Sequence, residues 1–183
     1  MKSLHIVIST VLALNISMAE SLPGITSHPP LQTNATVSTG DFRTVASGRW
    51  NSLQTWERFG GTAWAVPLSP PDSGSGRITV RSGDTVTVTA AMTYDQLTIE
   101  AGAQVVVAAG ITHTLTDGPG DDLTIDGTWV NQGGSWTIVG GAKWVVNDGG
   151  TFIQNSTAGI STAFSKGILN RASNFVYRGS SSL

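Results

Sequence analysis

Between residues 77 and 157, apolar and polar positions alternate in short bursts separated by glycine turns. Ile78-Thr79-Val80 is followed by the turn Ser82-Gly83-Asp84 and then by Thr85-Val86-Thr87-Val88-Thr89. A period of two puts Val86 and Val88 on one face and Thr85, Thr87 and Thr89 on the other, the pattern of a half-buried strand. Leu97-Thr98-Ile99, with its turn at Ala101-Gly102, repeats the arrangement. Val105-Val106-Val107 reads as a short continuously apolar strand. His113 and Leu115 then alternate with Thr112, Thr114 and Thr116, and Leu123-Thr124-Ile125 opens a further unit.

The units resemble one another. Residues 78–86 match residues 97–105 class by class, so Ile78 answers to Leu97 and Val86 to Val105. The next copy starts at Leu123, and its longer step implies a loop inserted at residues 117–122. A repeat of about 20 residues with glycine turns and strands of three to five residues predicts a β-solenoid. Such a rung cannot bury its apolar face alone. Stacked about 4.8 Å apart, rungs satisfy each other's backbone hydrogen bonds, with Val, Leu and Ile inside and Thr outside.

A shorter beat follows, marked by an aromatic at positions 129, 136, 144 and 152 (Trp129, Trp136, Trp144 and Phe152). Gly-Gly pairs interrupt each period, which excludes a helix. Two such beats plus a turn would make one rung, and the roughly 138 residues after residue 45 would hold about five to seven rungs. Asn131, Asn147 and Asn155 fall at the turns and are expected to form amide ladders.

Outside this region the texture differs. Residues 1–19 have the form of a secretory signal peptide: Lys2, an apolar stretch over residues 4–16, and small residues Ser17 and Ala19 before Glu20. The stretch is shorter than a membrane span requires. Residues 20–45, with Pro23, Pro29 and Pro30, read as a flexible linker. Residues 46–76 read as an N-terminal cap and a Pro/Gly loop, and residues 158–183 as a C-terminal tail or partial further rung.

Composition narrows the picture. Charged residues make up 12% of the 183 residues and the formal net charge is −2, so there is no basic surplus for nucleic acid. Cys is absent, which excludes disulfides and thiolate metal sites. Low charge also suits stacked in-register strands, where like charges would face one another.

The order of motifs carries a resemblance. Ser47-Gly48-x-Trp50 and Thr55-Trp56 precede a Pro-rich loop, then Ile78-x-Val80, Gly83, Val86-x-Val88 and Leu97-x-Ile99. Residues 46–107 thereby resemble the G8-type entry segment of secreted right-handed parallel β-helix (pectin-lyase-like) surface proteins. The resemblance implies that Trp50 and Trp56 cap the first rung. Its members include adhesin-like surface proteins and carbohydrate-acting enzymes.

Candidate chemistry is sparse. Asp117, Asp121 and Asp122 lie within six residues with two glycines, a set that could offer oxygen ligands to Ca²⁺; the competing reading is a solvated turn. The Asp121-Asp122 pair has the carboxylates of a glycosidase but no companion His or Arg-x-Lys motif. His113 reads as a rung residue, and the Thr ladders as ordinary β-propensity. Trp129, Trp136 and Trp144 form a row that, if exposed, would make a platform for sugar rings; if buried, they stack in the core.

The expectation is therefore an all-β, right-handed parallel β-helix with a Trp-containing cap, secreted or at a cell surface. As a non-catalytic module it serves adhesion, structural display or contact with extracellular polysaccharide or cell-surface glycan. The alternative is the N-terminal fragment of a β-helix polysaccharide lyase or glycoside hydrolase.

Overall fold

The computed structural model describes residues 36–155 and 166–179. The signal peptide, most of the linker, and residues 158–165 and 180–183 of the expected tail lie outside them. Among the described residues there are seventeen strands, one 3-10 turn at Leu53–Thr55 and no α-helix. The cap contributes β1 (Phe42–Thr44), β2 (Gly48–Arg49), β3 (Trp56–Phe59) and β4 (Trp64–Ala65). The solenoid follows with β5 (Ile78–Val80), β6 (Thr85–Val88), β7 (Met92–Tyr94), β8 (Leu97–Ile99), β9 (Gln104–Val107), β10 (Thr112–Leu115), β11 (Leu123–Ile125), β12 (Thr128–Asn131), β13 (Ser135–Ile138), β14 (Trp144–Val146), β15 (Thr151–Gln154), β16 (Gly167–Leu169) and β17 (Asn174–Tyr177).

These strands stack into three sheets, one per side of a β-solenoid of about four turns. The first sheet runs β16-β14-β11-β8-β5-β1-β3-β4, the second β17-β15-β12-β9-β6-β2, and the third β13-β10-β7. All pairings within the solenoid are parallel. The register follows the sequence repeat: Ile78 pairs with Leu97, Leu97 with Leu123, and Leu123 with Trp144. The extra residues of the second step form the bend before Leu123, where the inserted loop was expected.

Three beats, not two, complete a turn. β12, β13 and β14 occupy three successive sides, and β15 returns beneath β12, pairing Phe152 with Trp129. The five to seven rungs expected reduce to about four turns plus the cap layer. The beat missed in the sequence is Met92-Thr93-Tyr94, whose apolar-polar-apolar pattern pairs in register with His113-Thr114-Leu115.

The fold also begins earlier than expected. Residues 42–44, assigned above to the linker, form β1, which pairs antiparallel with β3 and parallel with β5. Phe42 is buried there, and an alternation over only three residues is too short to announce a strand. The antiparallel β3–β4 pair then turns the upper edge of the first sheet away from further parallel addition. The last rung, β16 and β17, supplies the partial rung expected in the C-terminal segment.

Inward positions form continuous columns. Ile78, Leu97, Leu123 and Trp144 make one; Val86, Val105, Trp129, Phe152 and Phe175 make another; Met92, His113 and Trp136 make a third. Gly167 closes the first column, because an added Cβ there would fall inside the Trp144 indole. Outward positions carry small polar residues: Thr79, Thr98 and Thr124 on the first sheet, and Thr93, Thr114 and Thr137 on the third.

Candidate functional site: a buried aromatic column and polar outer ladders

The aromatic row lies inside the solenoid. Trp129 is 0% exposed and Trp144 1%, while Trp136, on the edge strand β13, is half-buried. A sugar ring cannot stack on Trp129 or Trp144, so the exposed glycan platform is corrected to a core. The physical reason is the alternation itself: Thr128 and Thr137 take the outward positions, which turns the neighbouring indoles inward.

The column extends across the molecule. Trp56 meets Trp50 with ring centroids 5.1 Å apart, and Trp50 meets Tyr94 at 6.1 Å. Tyr94 lies 6.1 Å from Trp129 and 6.2 Å from His113. Both Trp129 and His113 contact Trp136, which reaches Trp144 at 5.3 Å and Phe152 at 5.7 Å. Trp50 and Trp56 pack together at the N-terminal end of the solenoid. The Trp56 indole donates to the Trp50 carbonyl at 2.8 Å, and the Trp50 indole to the Pro71 carbonyl at 3.0 Å, which ties the Pro-rich loop over the first rung. Trp64 stands apart from this packing, with the Arg43 guanidinium 4.1 Å above its ring; Arg43 also pairs with Glu57.

Polar atoms gather at the middle of the column. The Tyr94 hydroxyl lies 3.3 Å from His113 Nδ1. His113 Nε2 and the indole nitrogens of Trp129 and Trp136 are buried without a hydrogen-bond partner. Burial lowers the His113 pKa to about 3. It also pushes the Tyr94 phenol well above its usual value. Both rings are therefore neutral at ordinary pH. No signal in the sequence marked Tyr94 except the overlooked third beat.

The three aspartates are not brought together as a ligand set. Asp122 is fully buried, and its carboxylate accepts from Gly118 N–H at 2.6 Å and Lys143 N–H at 2.7 Å. Both of its oxygens are thus engaged with backbone, which leaves Asp117 and Asp121 without it. No group of three His, Asp or Glu among the described residues is placed to hold a metal ion. Next to this bend, the Asp95 carboxyl is raised above its usual pKa by burial first, then by the charges of Asp122 and Asp72.

The amide ladder is real but differently composed. Asn170 donates to Asn147 at 2.9 Å and Asn147 to Asp126 at 2.8 Å, one link per rung. Asn155 donates to Gln132, whereas Asn131 folds back on its own turn, bonding Gly133 and Gly134. The outer face of the second sheet carries a longer row: Thr85, Gln104, Thr128, Thr151 and Asn174 stand in register on five successive strands. Beside it runs an apolar row of Val106, Val130, Ile153 and Val176.

No family model, no curated protein and no solved structure matches the chain. No helix among the described residues is long and apolar enough to cross a membrane.

Proposed function

We propose that this chain is an exported, non-catalytic β-solenoid module that contacts an extended glycan at a cell surface. The observation that carries the reading is the outer face of the second sheet. Thr85, Gln104, Thr128, Thr151 and Asn174 form a straight row of hydroxyl and amide groups, spaced about 4.8 Å apart by the strand separation. Hydroxyls and amides both donate and accept, which suits the hydroxyl-rich edge of a polysaccharide chain. The half-buried Val106 and Ile153 beside the row offer apolar contacts for a pyranose ring. The likeness of residues 46–107 to G8-type entry segments supports the same reading, since that group includes adhesin-like surface proteins.

The test is binding of the purified chain to a glycan array and to insoluble polysaccharides, alongside the double variant Gln104→Ala, Thr128→Lys. Loss of a bound glycan in the variant, with an unchanged melting temperature, supports this face. An absence of glycan binding in the parent chain, or equal binding by the variant, removes it.

A further inference from the structure

We propose that Tyr94 and His113 form a proton-coupled electron donor at which one-electron oxidation of the aromatic column comes to rest. The proposal stands apart from the glycan reading and concerns the interior, not the outer faces.

Three observations place it. Trp56, Trp50, Tyr94, Trp129, Trp136 and Trp144 form an unbroken series of ring contacts, with centroids 5.1–6.1 Å apart. Aromatic rings in contact exchange an electron hole readily, so oxidation of any one of them is shared among all. Trp136 is the half-buried member and stands on an edge strand, which makes it the point where an oxidant in solution can withdraw an electron. Finally, Tyr94 is the one ring of the series with an ionisable proton and a base beside it, its hydroxyl lying 3.3 Å from His113 Nδ1.

The step balances as follows. A one-electron oxidant, such as a ruthenium(III) polypyridyl complex or a hydroxyl radical, takes one electron from Trp136 and is itself reduced. The resulting tryptophanyl radical cation takes one electron from Tyr94, directly or through Trp129. The phenol O–H bond breaks as the electron leaves, and its proton passes to His113 Nδ1. The products are a neutral tyrosyl radical, an imidazolium, and Trp136 restored. His113 resists protonation by ordinary solvent acid because it is buried. An oxidised phenol is a far stronger acid, so the transfer still runs toward the imidazole. Return of one electron and the same proton restores the starting state. Tyr94 is completely buried, which keeps the radical from coupling to a second molecule.

Flash oxidation of the full-length chain by photogenerated ruthenium(III) tris-bipyridine tests the proposal. The chain has two tyrosines, so Tyr177→Phe leaves Tyr94 as the only tyrosine. In that variant the tyrosyl absorption should grow in as the tryptophanyl signal decays, more slowly in D₂O than in H₂O. Adding Tyr94→Phe should abolish the tyrosyl signal and lengthen the life of the tryptophanyl radical. Adding His113→Phe instead keeps a ring in the stack but removes the base. The tyrosyl yield should then fall more than about tenfold, because the base 3.3 Å from the phenol hydroxyl is gone. A tyrosyl signal missing from the Tyr177→Phe chain overturns the proposal, as does a yield unchanged by His113→Phe. Should His113→Phe fail to fold, the isotope effect decides alone, and equal rates in H₂O and D₂O reject the transfer to His113.

Discussion

The buried Asp122 carboxylate reaches across one turn of the solenoid to the backbone N–H of Lys143, 2.7 Å away, while its other oxygen holds Gly118 N–H. One side chain thereby fixes both the inserted bend and its distance to the next rung. A hydrogen bond to a charged group contributes about 1.5–3 kcal/mol. Asp122→Ala should therefore lower unfolding stability by about 3 kcal/mol or more, read as a shift in the denaturant midpoint. Asp122→Asn, which keeps one acceptor, should lose less. Equal stability of Asp122→Ala and the parent would contradict this placement.

Because Asp122 is committed to backbone, Ca²⁺ should not stabilise the fold. Melting curves recorded with millimolar Ca²⁺ and with a chelator should superimpose. A higher melting temperature in Ca²⁺ that Asp117→Asn removes would restore the metal reading.

His113 gives the fold an acid limb. Its pKa is lowered to about 3 when folded, against about 6.5 in the unfolded chain. Between these values the unfolded state binds the proton and the folded state does not, so stability falls as pH drops from about 6.5 toward 3. The full loss is on the order of 4–5 kcal/mol. His113→Phe should flatten this part of the stability–pH curve, and an unchanged slope in that variant would show the limb to come from elsewhere.

Asp95 acts in the opposite sense. Its carboxyl is raised by burial and by Asp122 and Asp72, so it favours the fold when protonated and opposes it as pH rises through its folded pKa. Asp95→Asn should raise the melting temperature at pH 7 and make little difference at pH 3. A lower melting temperature at pH 7 would contradict this.

Packing of the column predicts two further effects. Trp129→Ala should cost about 3–5 kcal/mol as a core truncation. Trp129→Phe should cost much less, since Phe152 fills the equivalent position one turn below. At the corner, Gly150 lies so close to the Ile125 carbonyl oxygen that an added Cβ would overlap it. Gly150→Ala should destabilise the fold although the residue is not in the left-handed region, and chemical denaturation of the three variants measures both effects.

Much of the architecture was legible along the chain because a solenoid repeats locally. Ile78, Leu97 and Leu123 stand in the same pattern in the sequence and in the same column in space. The alternation of Thr with Val or Leu set which faces turn inward, and the glycines at Ser82-Gly83 and Ala101-Gly102 set the turns, with φ of 87° at Gly83 and 82° at Gly102. Closure decided the rest. Period two puts Trp129 and Thr128 on opposite faces, and the three-sided winding stacks Trp129 between Val105 and Phe152. The same winding brings Tyr94 to His113, which are 19 residues apart, and the Asp122 carboxylate to the backbone N–H of Lys143, 21 residues on. Alternation is a property of one strand, read from neighbouring residues. Burial and partnership depend on which strands lie above, below and across, and those are set by how the chain closes on itself.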